Sequence, residues 1–124
     1  MGLGVLAAAA FIAGGCASSG PAGQTRAELR EGVRAAQRNY WQEALFRFEK
    51  ARTLEPTDHK VLNNLAVALE ALGRYDEALA TYKQALQSAG KNITVRKNYA
   101  GFAEFYSSYA KGAKPKKDDA DATR

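Results

Sequence analysis

The sequence has few of the residues on which metal sites and reactive centres depend. It contains one cysteine, Cys16, and one histidine, His59, in 124 residues. A single cysteine excludes an internal disulfide framework and a site built from several thiolates. A single histidine argues against a histidine-based metal site or a catalytic triad, and no phosphate-binding loop or nucleophile motif is present. We therefore expect a protein that is not an enzyme, with no catalytic residue, no metal and no cofactor.

The N-terminal segment lacks charge, and its apolar run is too short to cross a bilayer. Residues 3–13, LGVLAAAAFIA, fall well short of the roughly 20 apolar residues that a spanning helix needs. Small residues then lead directly to the thiol in Ala13-Gly14-Gly15-Cys16. This pattern resembles a bacterial lipoprotein signal, and the alternatives are a plain signal peptide or a short buried segment with a free thiol.

The lipoprotein resemblance implies an address for the chain. Residues 1–15 would be a signal peptide that is removed, Cys16 the lipidated residue, and residues 16–24 a flexible spacer. Because Ala17 rather than aspartate follows the cysteine, the resemblance implies a lipid anchor in the outer membrane, with the mature protein facing the periplasm.

The chain is basic, but only moderately so. The formal net charge is +5, and part of the excess lies in the tail, residues 111–124, which is poor in apolar residues and is expected to be disordered. A short tail of mixed sign favours a solubilising segment over one that contacts anionic lipid, nucleic acid or cell wall. We expect no nucleic-acid partner.

An internal repeat organises the middle of the chain. Residues 41–56 align with residues 75–90, which gives a repeat period of about 34 residues. The paired positions keep their aromatic, aliphatic or small character: Trp41 with Tyr75, Ala44 with Ala78, Leu45 with Leu79, Phe48 with Tyr82 and Ala51 with Ala85.

The stretch LNNLAVALEALGRYDEALATYKQAL, residues 62–86, resembles the tetratricopeptide repeat. The resemblance covers roughly residues 25–110 and implies an all-α, right-handed helical stack. It would comprise two helix-turn-helix repeats, at about 25–58 and 59–92, and a capping helix at 93–110.

The residue pattern by itself also predicts helices. Trp41, Ala44, Leu45 and Phe48 recur at steps of three and four residues, which makes one apolar stripe. Pro56 is expected to stop one helix and Asp58 to cap the next. We predict helices near residues 25–38, 41–54, 58–72, 75–88 and 92–110.

In tetratricopeptide stacks the first helices of the repeats line a concave face that holds an extended peptide or a partner helix. The positions that would face this groove are mostly basic or amide-bearing, and they include Arg30, Lys60, Asn63, Asn64, Val67, Lys97 and Asn98. The others are Arg26, Leu29, Val33, Thr94 and Gly101. Such a set favours a bound peptide that carries acidic residues or a terminal carboxylate. Leu29 and Val33 occupy the places of the lysine and asparagine with which some members clamp a carboxylate, so we do not expect that clamp. The alternative is that these charges form only a solvated face.

The last predicted helix has no partner helix and is rich in aromatic residues. Phe102, Phe105 and Tyr109 are expected to lie partly on its uncovered side. These rings could fold over the end of the stack as a wide cap, or form an exposed patch that docks a partner or a second copy.

Three hypotheses for function follow from the sequence. The first is a lipid-anchored adaptor that binds a protein or peptide in the periplasm, in envelope assembly or secretion. The second is a structural protein that self-associates, as a homodimer, through its aromatic end. The third is a cytosolic interaction module whose N-terminus is misread.

Overall fold

The computed structural model describes residues 20–113, which form five α-helices and no strand. The helices are α1 (Pro21–Gln37), α2 (Trp41–Leu54), α3 (His59–Ala71), α4 (Tyr75–Ala89) and α5 (Ile93–Ala113). The prediction of an all-α helical repeat stack is confirmed. The predicted signal peptide, Cys16, the first part of the spacer and the tail beyond residue 113 lie outside the described residues.

The first helix begins earlier than the sequence pattern predicts. α1 starts at Pro21, so residues 21–24 are helical and not part of a flexible spacer. Proline is favoured in the first helical turn, because its fixed φ suits the helix and its missing N–H would have no intrahelical partner there. The Thr25 hydroxyl donates a hydrogen bond of 2.9 Å to the Pro21 carbonyl, which ties the added turn to the rest of α1.

The beginnings of α3 and α5 are capped in the same way, one repeat period apart. Asp58 accepts hydrogen bonds from the backbone N–H groups of Lys60 and Val61, at 2.7 and 3.0 Å, which confirms the predicted cap. The side chain of Asn92 accepts from the N–H groups of residues 94 and 95, at 3.0 and 3.2 Å. The repeat therefore preserves a cap as well as an apolar stripe.

The remaining boundaries follow the predictions closely, with one exception. α2 has the predicted bounds, while α5 continues to Ala113, three residues beyond the predicted end. Lysine at position 111 is a good helix former close to the C-terminus, where its charge is also favourable. The low apolar content of the tail from residue 111 therefore did not predict that its first three residues are helical.

Tight turns join the helices of each repeat. Asn39 follows α1 with φ 61°, and Gly73, at the matching position of the next repeat, follows α3 with φ 75°. Both occupy the left-handed region, in which glycine and asparagine are tolerated best. These short connections place α1 against α2, and α3 against α4, as antiparallel helical hairpins.

The core runs through both hairpins and into α5. Its buried side chains include Phe48, Leu65 and Tyr82, together with Phe102 from the last helix. A smaller cluster of Leu62, Ala85 and Val95 joins α3, α4 and α5. The fifth helix is thus packed against the second hairpin by its own apolar side chains.

Candidate functional site

A recess of about 280 Å³ opens between α1 and the first parts of α3 and α5. We call it the amide recess, because three asparagines are among its eight lining residues: Leu29, His59, Lys60, Asn63, Asn64, Asn92, Thr94 and Val95. Lys60 supplies a positive charge to this lining, and no carboxylate belongs to it. The recess therefore favours a ligand with acceptor groups or negative charge.

Two amide contacts fix α5 against α3 at this recess. Asn98 Nδ2 donates to Asn63 Oδ1 at 3.0 Å, and Asn92 Nδ2 lies 3.4 Å from His59 Nε2. Asn63 is only 8 % exposed. Its carbonyl is therefore engaged within the fold, and Asn63 both lines the recess and holds α3 to α5 through Asn98.

A second recess, of about 270 Å³, lies between α1, α2 and α3. We call it the apolar recess, because its lining is mainly hydrophobic: Val33, Ala36, Gln37, Trp41, Phe48, Asn64 and Val67. Burial of an apolar ligand side chain there would remove hydrocarbon surface from water on both partners.

Asn64 lines both recesses. Its side chain is partly exposed and makes no hydrogen bond with any other residue between 20 and 113. An amide group carries two donor hydrogens and an acceptor oxygen, so it can pair with a peptide backbone in either direction. The two recesses and this amide form one candidate binding surface, polar at one end and apolar at the other.

The predicted groove residues are only partly brought together. Lys60, Asn63 and Asn64 line the amide recess, and Val67 lines the apolar recess. Arg30 and Lys97 are exposed and line neither recess. Asn98 reaches the site through its bond to Asn63.

The prediction that Phe102 belongs to an exposed docking patch is wrong. Its side chain is 2 % exposed and its ring lies 5.3 Å from that of Tyr82. The helical rotation that turns Phe105 and Tyr109 outward turns Phe102 onto α4. Those two remain 45 % and 44 % exposed and pack edge-on against Tyr75, at 5.0 and 4.8 Å between ring centroids.

Sequence reasoning missed His59 and Asn92 as members of the site. The signal for Asn92 was present, because it stands one repeat period after the predicted cap Asp58. A residue that caps the first helix of the third repeat copy must lie at the start of α5. In a stack of repeats, this point lies beside the start of α3. His59 gave no comparable signal, since only the packing of α5 brings Asn92 to its ring.

A larger recess of about 430 Å³ lies between α1 and α2, but its polar groups already bind each other. Glu28 and Lys50, both in its lining, form an ion pair of 2.6 Å. Hydrogen bonding from Lys50, followed by that from Arg47, holds the pKa of the Glu28 carboxyl below its ordinary value. This pair links two helices of one hairpin, so we regard the recess as structural.

The described residues offer no arrangement for metal chemistry. Between residues 20 and 113, no three histidine, cysteine, aspartate or glutamate side chains are grouped so that they could hold a metal ion. In the same range, no helix combines the length and the apolarity that crossing a bilayer requires. The arrangement present is that of a binding surface on a helical stack.

Paired antiparallel helices, a regularly recurring pattern of caps and apolar stripes, and recesses between successive first helices define a helical-repeat binding protein. A family profile described as tetratricopeptide repeat matches residues 35–103, and the chain belongs to this family. Tetratricopeptide repeats generally serve as non-catalytic modules that bind other proteins. A comparison with curated proteins finds no significant match.

Proposed function

We propose that this protein is a non-enzymatic adaptor that binds an extended peptide segment across the amide and apolar recesses. The observation that carries the proposal is the position of Asn64 at the junction of the two, with its amide unengaged by residues 20–113. A bound backbone would hydrogen-bond to Asn64. An apolar side chain would enter the apolar recess, and an acidic residue or terminal carboxylate would lie near Lys60.

The chemistry of the two ends supports a ligand with this order of groups. Lys60 is exposed and has no ion pair within residues 20–113, so its ammonium group is available to an anion. Val67 and Trp41 leave apolar surface at the other end. Each recess is small, and occupation of both by one chain would add their contributions without a second loss of rotational and translational freedom.

Trp41 provides a direct assay, since it is the single tryptophan of the chain and lines the apolar recess. Peptides selected from a random phage-displayed library would be titrated while the tryptophan emission is recorded. We expect acidic-apolar peptides to shift that emission. The combined variant Asn64→Ala, Lys60→Glu should lose at least tenfold in affinity, about 1.4 kcal/mol.

The matched control is Lys83→Glu with Gln84→Ala, which makes the same change of charge and a similar loss of amide on the exposed face of α4. This variant should bind as the wild type does. Equal binding by all three proteins, or the absence of any selected peptide, would sink the proposal.

We further propose that Cys16 anchors the adaptor by lipid in the bacterial outer membrane, on the periplasmic side, where it serves envelope assembly or secretion. The support is the sequence AGGC and the small residues that follow it. Labelling of cells with a radioactive fatty acid should mark the wild type and leave Cys16→Ser unmarked. Label on both proteins, or on neither, would contradict the anchor and favour a cytosolic module.

A second function, self-association at the aromatic end, is favoured by one observation. Phe105 and Tyr109 are nearly half exposed at adjacent turns of α5, and with Tyr75 they form a continuous aromatic surface. Such surfaces are enriched at protein interfaces. Sedimentation over a range of concentrations should show a dimer that Phe105→Ser dissociates, and a strict monomer would exclude it.

A further inference from the structure

The solvent-facing side of α1 carries a row of arginines. Arg26, Arg30 and Arg34 of α1, and Arg38 directly after its last residue, follow one another at steps of four residues, and all four are exposed. At 3.6 residues per turn, such steps keep side chains on one broad face of a helix. The buried residues of α1, such as Gly32 and Ala35, lie on the opposite side, towards the core. We call this row the arginine face.

Three of the four arginines of this face are not paired with a carboxylate of α1. Glu28 is turned towards α2, is only 17 % exposed and pairs with Lys50. Glu31, at the border of the face, pairs with Arg34 at 2.9 Å. Arg26, Arg30 and Arg38 have no ion pair within residues 20–113.

The outward side of α4 differs from the arginine face, because it carries charges of both signs. There Asp76 and Glu77 are exposed together with Lys83, and Glu77 pairs with Arg74 at 2.6 Å. A solvated face needs only such a mixture for solubility. On the arginine face, by contrast, three of the four arginines form no ion pair within residues 20–113, and Glu31 at its border pairs only with Arg34.

From this charge pattern we infer that the arginine face of α1 lies on a bilayer surface of anionic phospholipid. The inference rests on the proposed anchor at Cys16, which would bring α1 to a membrane. Four residues separate Cys16 from Pro21, so even a fully extended connection holds the start of α1 within about 18 Å of the anchored residue. Anionic headgroups attract basic residues over roughly a Debye length, about 8 to 10 Å.

The lipid anchor at Cys16 and the electrostatic contact of the arginine face would reinforce each other. The anchor fixes α1 at a high local concentration of headgroups, so that even a weak electrostatic contact is occupied. An arginine near an anionic surface contributes on the order of a fivefold increase in partitioning. Several of them along the arginine face would fix how the stack is oriented on the bilayer, which a lipid anchor alone does not.

The test measures the membrane binding of the arginine face separately from that of the lipid anchor. The chain from residue 16 onward, which contains all five helices, is prepared with Cys16→Ser so that no acyl group contributes. Its sedimentation with phosphatidylcholine vesicles is measured with and without phosphatidylglycerol. We expect binding only to the anionic vesicles, weakened by added salt, and a loss of about 25-fold or more in Arg26→Glu, Arg30→Glu.

Arg52→Glu, Lys83→Glu is the matched control, because it changes the net charge equally at exposed positions of α2 and α4. It should retain at least half of the wild-type binding. Equal loss in both variants, or no preference of the wild type for anionic vesicles, would overturn the inference. So would an Arg26→Glu, Arg30→Glu variant that binds vesicles normally but loses a polyglutamate peptide, since the face would then serve an acidic protein. Fatty-acid labelling of Cys16 reports separately on the anchor, and the tryptophan titration on the recesses.

Discussion

The two helical hairpins of this protein bury the same stripe of residues by different means. Phe48 in the first and Tyr82 in the second occupy matching positions of the repeat, and both are almost fully buried. Phe48 packs directly over Gly32, where a side chain would leave no room for the ring. Tyr82 is instead held by a hydrogen bond of 2.9 Å from its hydroxyl to Glu70 Oε2.

The difference follows from the place of each hairpin in the stack. α3 packs against neighbours before and after it and buries seven residues, whereas α1 packs mainly on α2 and buries three. A helix with few buried side chains depends more on each close contact it makes. The first hairpin should therefore be the more sensitive to a single change in its packing, and the second to changes in its polar contacts.

The largest effect is expected from Gly32→Ala in the first hairpin. A β-carbon at position 32 would lie 2.4 Å from Cε1 of the Phe48 ring. Overpacking of this kind outweighs the gain in helix propensity, and we expect a net loss of about 2 kcal/mol in the free energy of unfolding. Urea denaturation followed by circular dichroism measures it.

Gly101→Ala in α5 is the control, because no atom lies within 4 Å of the added carbon. It should stabilise the protein by about 0.5 to 1 kcal/mol through helix propensity alone. If Gly32→Ala were equally stabilising, the close approach of α1 and α2 would not be required.

Tyr82→Phe should give the next largest effect, in the second hairpin. It removes a hydrogen bond to a charged, half-buried acceptor, and we expect a loss of about 1.5 kcal/mol at neutral pH. Tyr99→Phe is a control, since that ring packs on Tyr82 and its hydroxyl makes no hydrogen bond within residues 20–113. It should change stability little.

The same variant tests the alkaline behaviour of the fold. Burial, followed by the bond to Glu70, raises the pKa of the Tyr82 phenol above its ordinary value. In the alkaline range the unfolded chain releases this proton first, so stability is full below the ordinary tyrosine pKa and falls as the pH rises above it. Tyr82→Phe should lose stability less steeply in that range, and an identical pH profile would contradict the assignment.

Asp58→Ala should cost about 1 kcal/mol, because it removes the cap of α3. Asp58→Asn keeps an oxygen that can accept from Lys60 and Val61, so it should cost only a few tenths of a kcal/mol. Equal losses in the two variants would mean that the charge, and not the cap, stabilises the start of this helix.

The repeat period predicted most of the fold, because it places caps, turns and apolar stripes at once. It also contained a signal that was not used: Phe102 stands one period after Ala68, a fully buried position. The helical pattern of α5 alone does not decide which of two adjacent sides of the helix packs against α4. The prediction for Phe102 failed for this reason. The start of α1 was missed because Gly20 and Pro21 have the composition of a linker, although they also suit the first turn of a helix.

The candidate site was less predictable than the fold. Lys60, Asn64 and Val67 were placed in it by family geometry. The pairing of Asn63 with Asn98, however, depends on how α5 packs and which rotamers result. Sequence periodicity predicts which face a residue occupies and not which hydrogen bond it makes.

The smallest effect is expected from Glu28→Gln, which tests the polar link of the first hairpin. Glu28 binds Lys50 and Arg47 of α2, at 2.6 and 3.3 Å, and these contacts hold its pKa below the ordinary value. A carboxylate with a lowered pKa stabilises the fold above its unfolded pKa, and this contribution is lost as the pH falls through the folded pKa. Glu28→Gln should therefore lose about 0.5 kcal/mol at neutral pH and show a shallower loss of stability in acid.

Glu31→Gln removes an exposed pair within one turn of α1, so it should leave both the stability and its pH dependence unchanged. A Glu28→Gln protein that behaves like this control would mean that the first hairpin is held by the contact of Gly32 with Phe48 and gains nothing from its ion pairs.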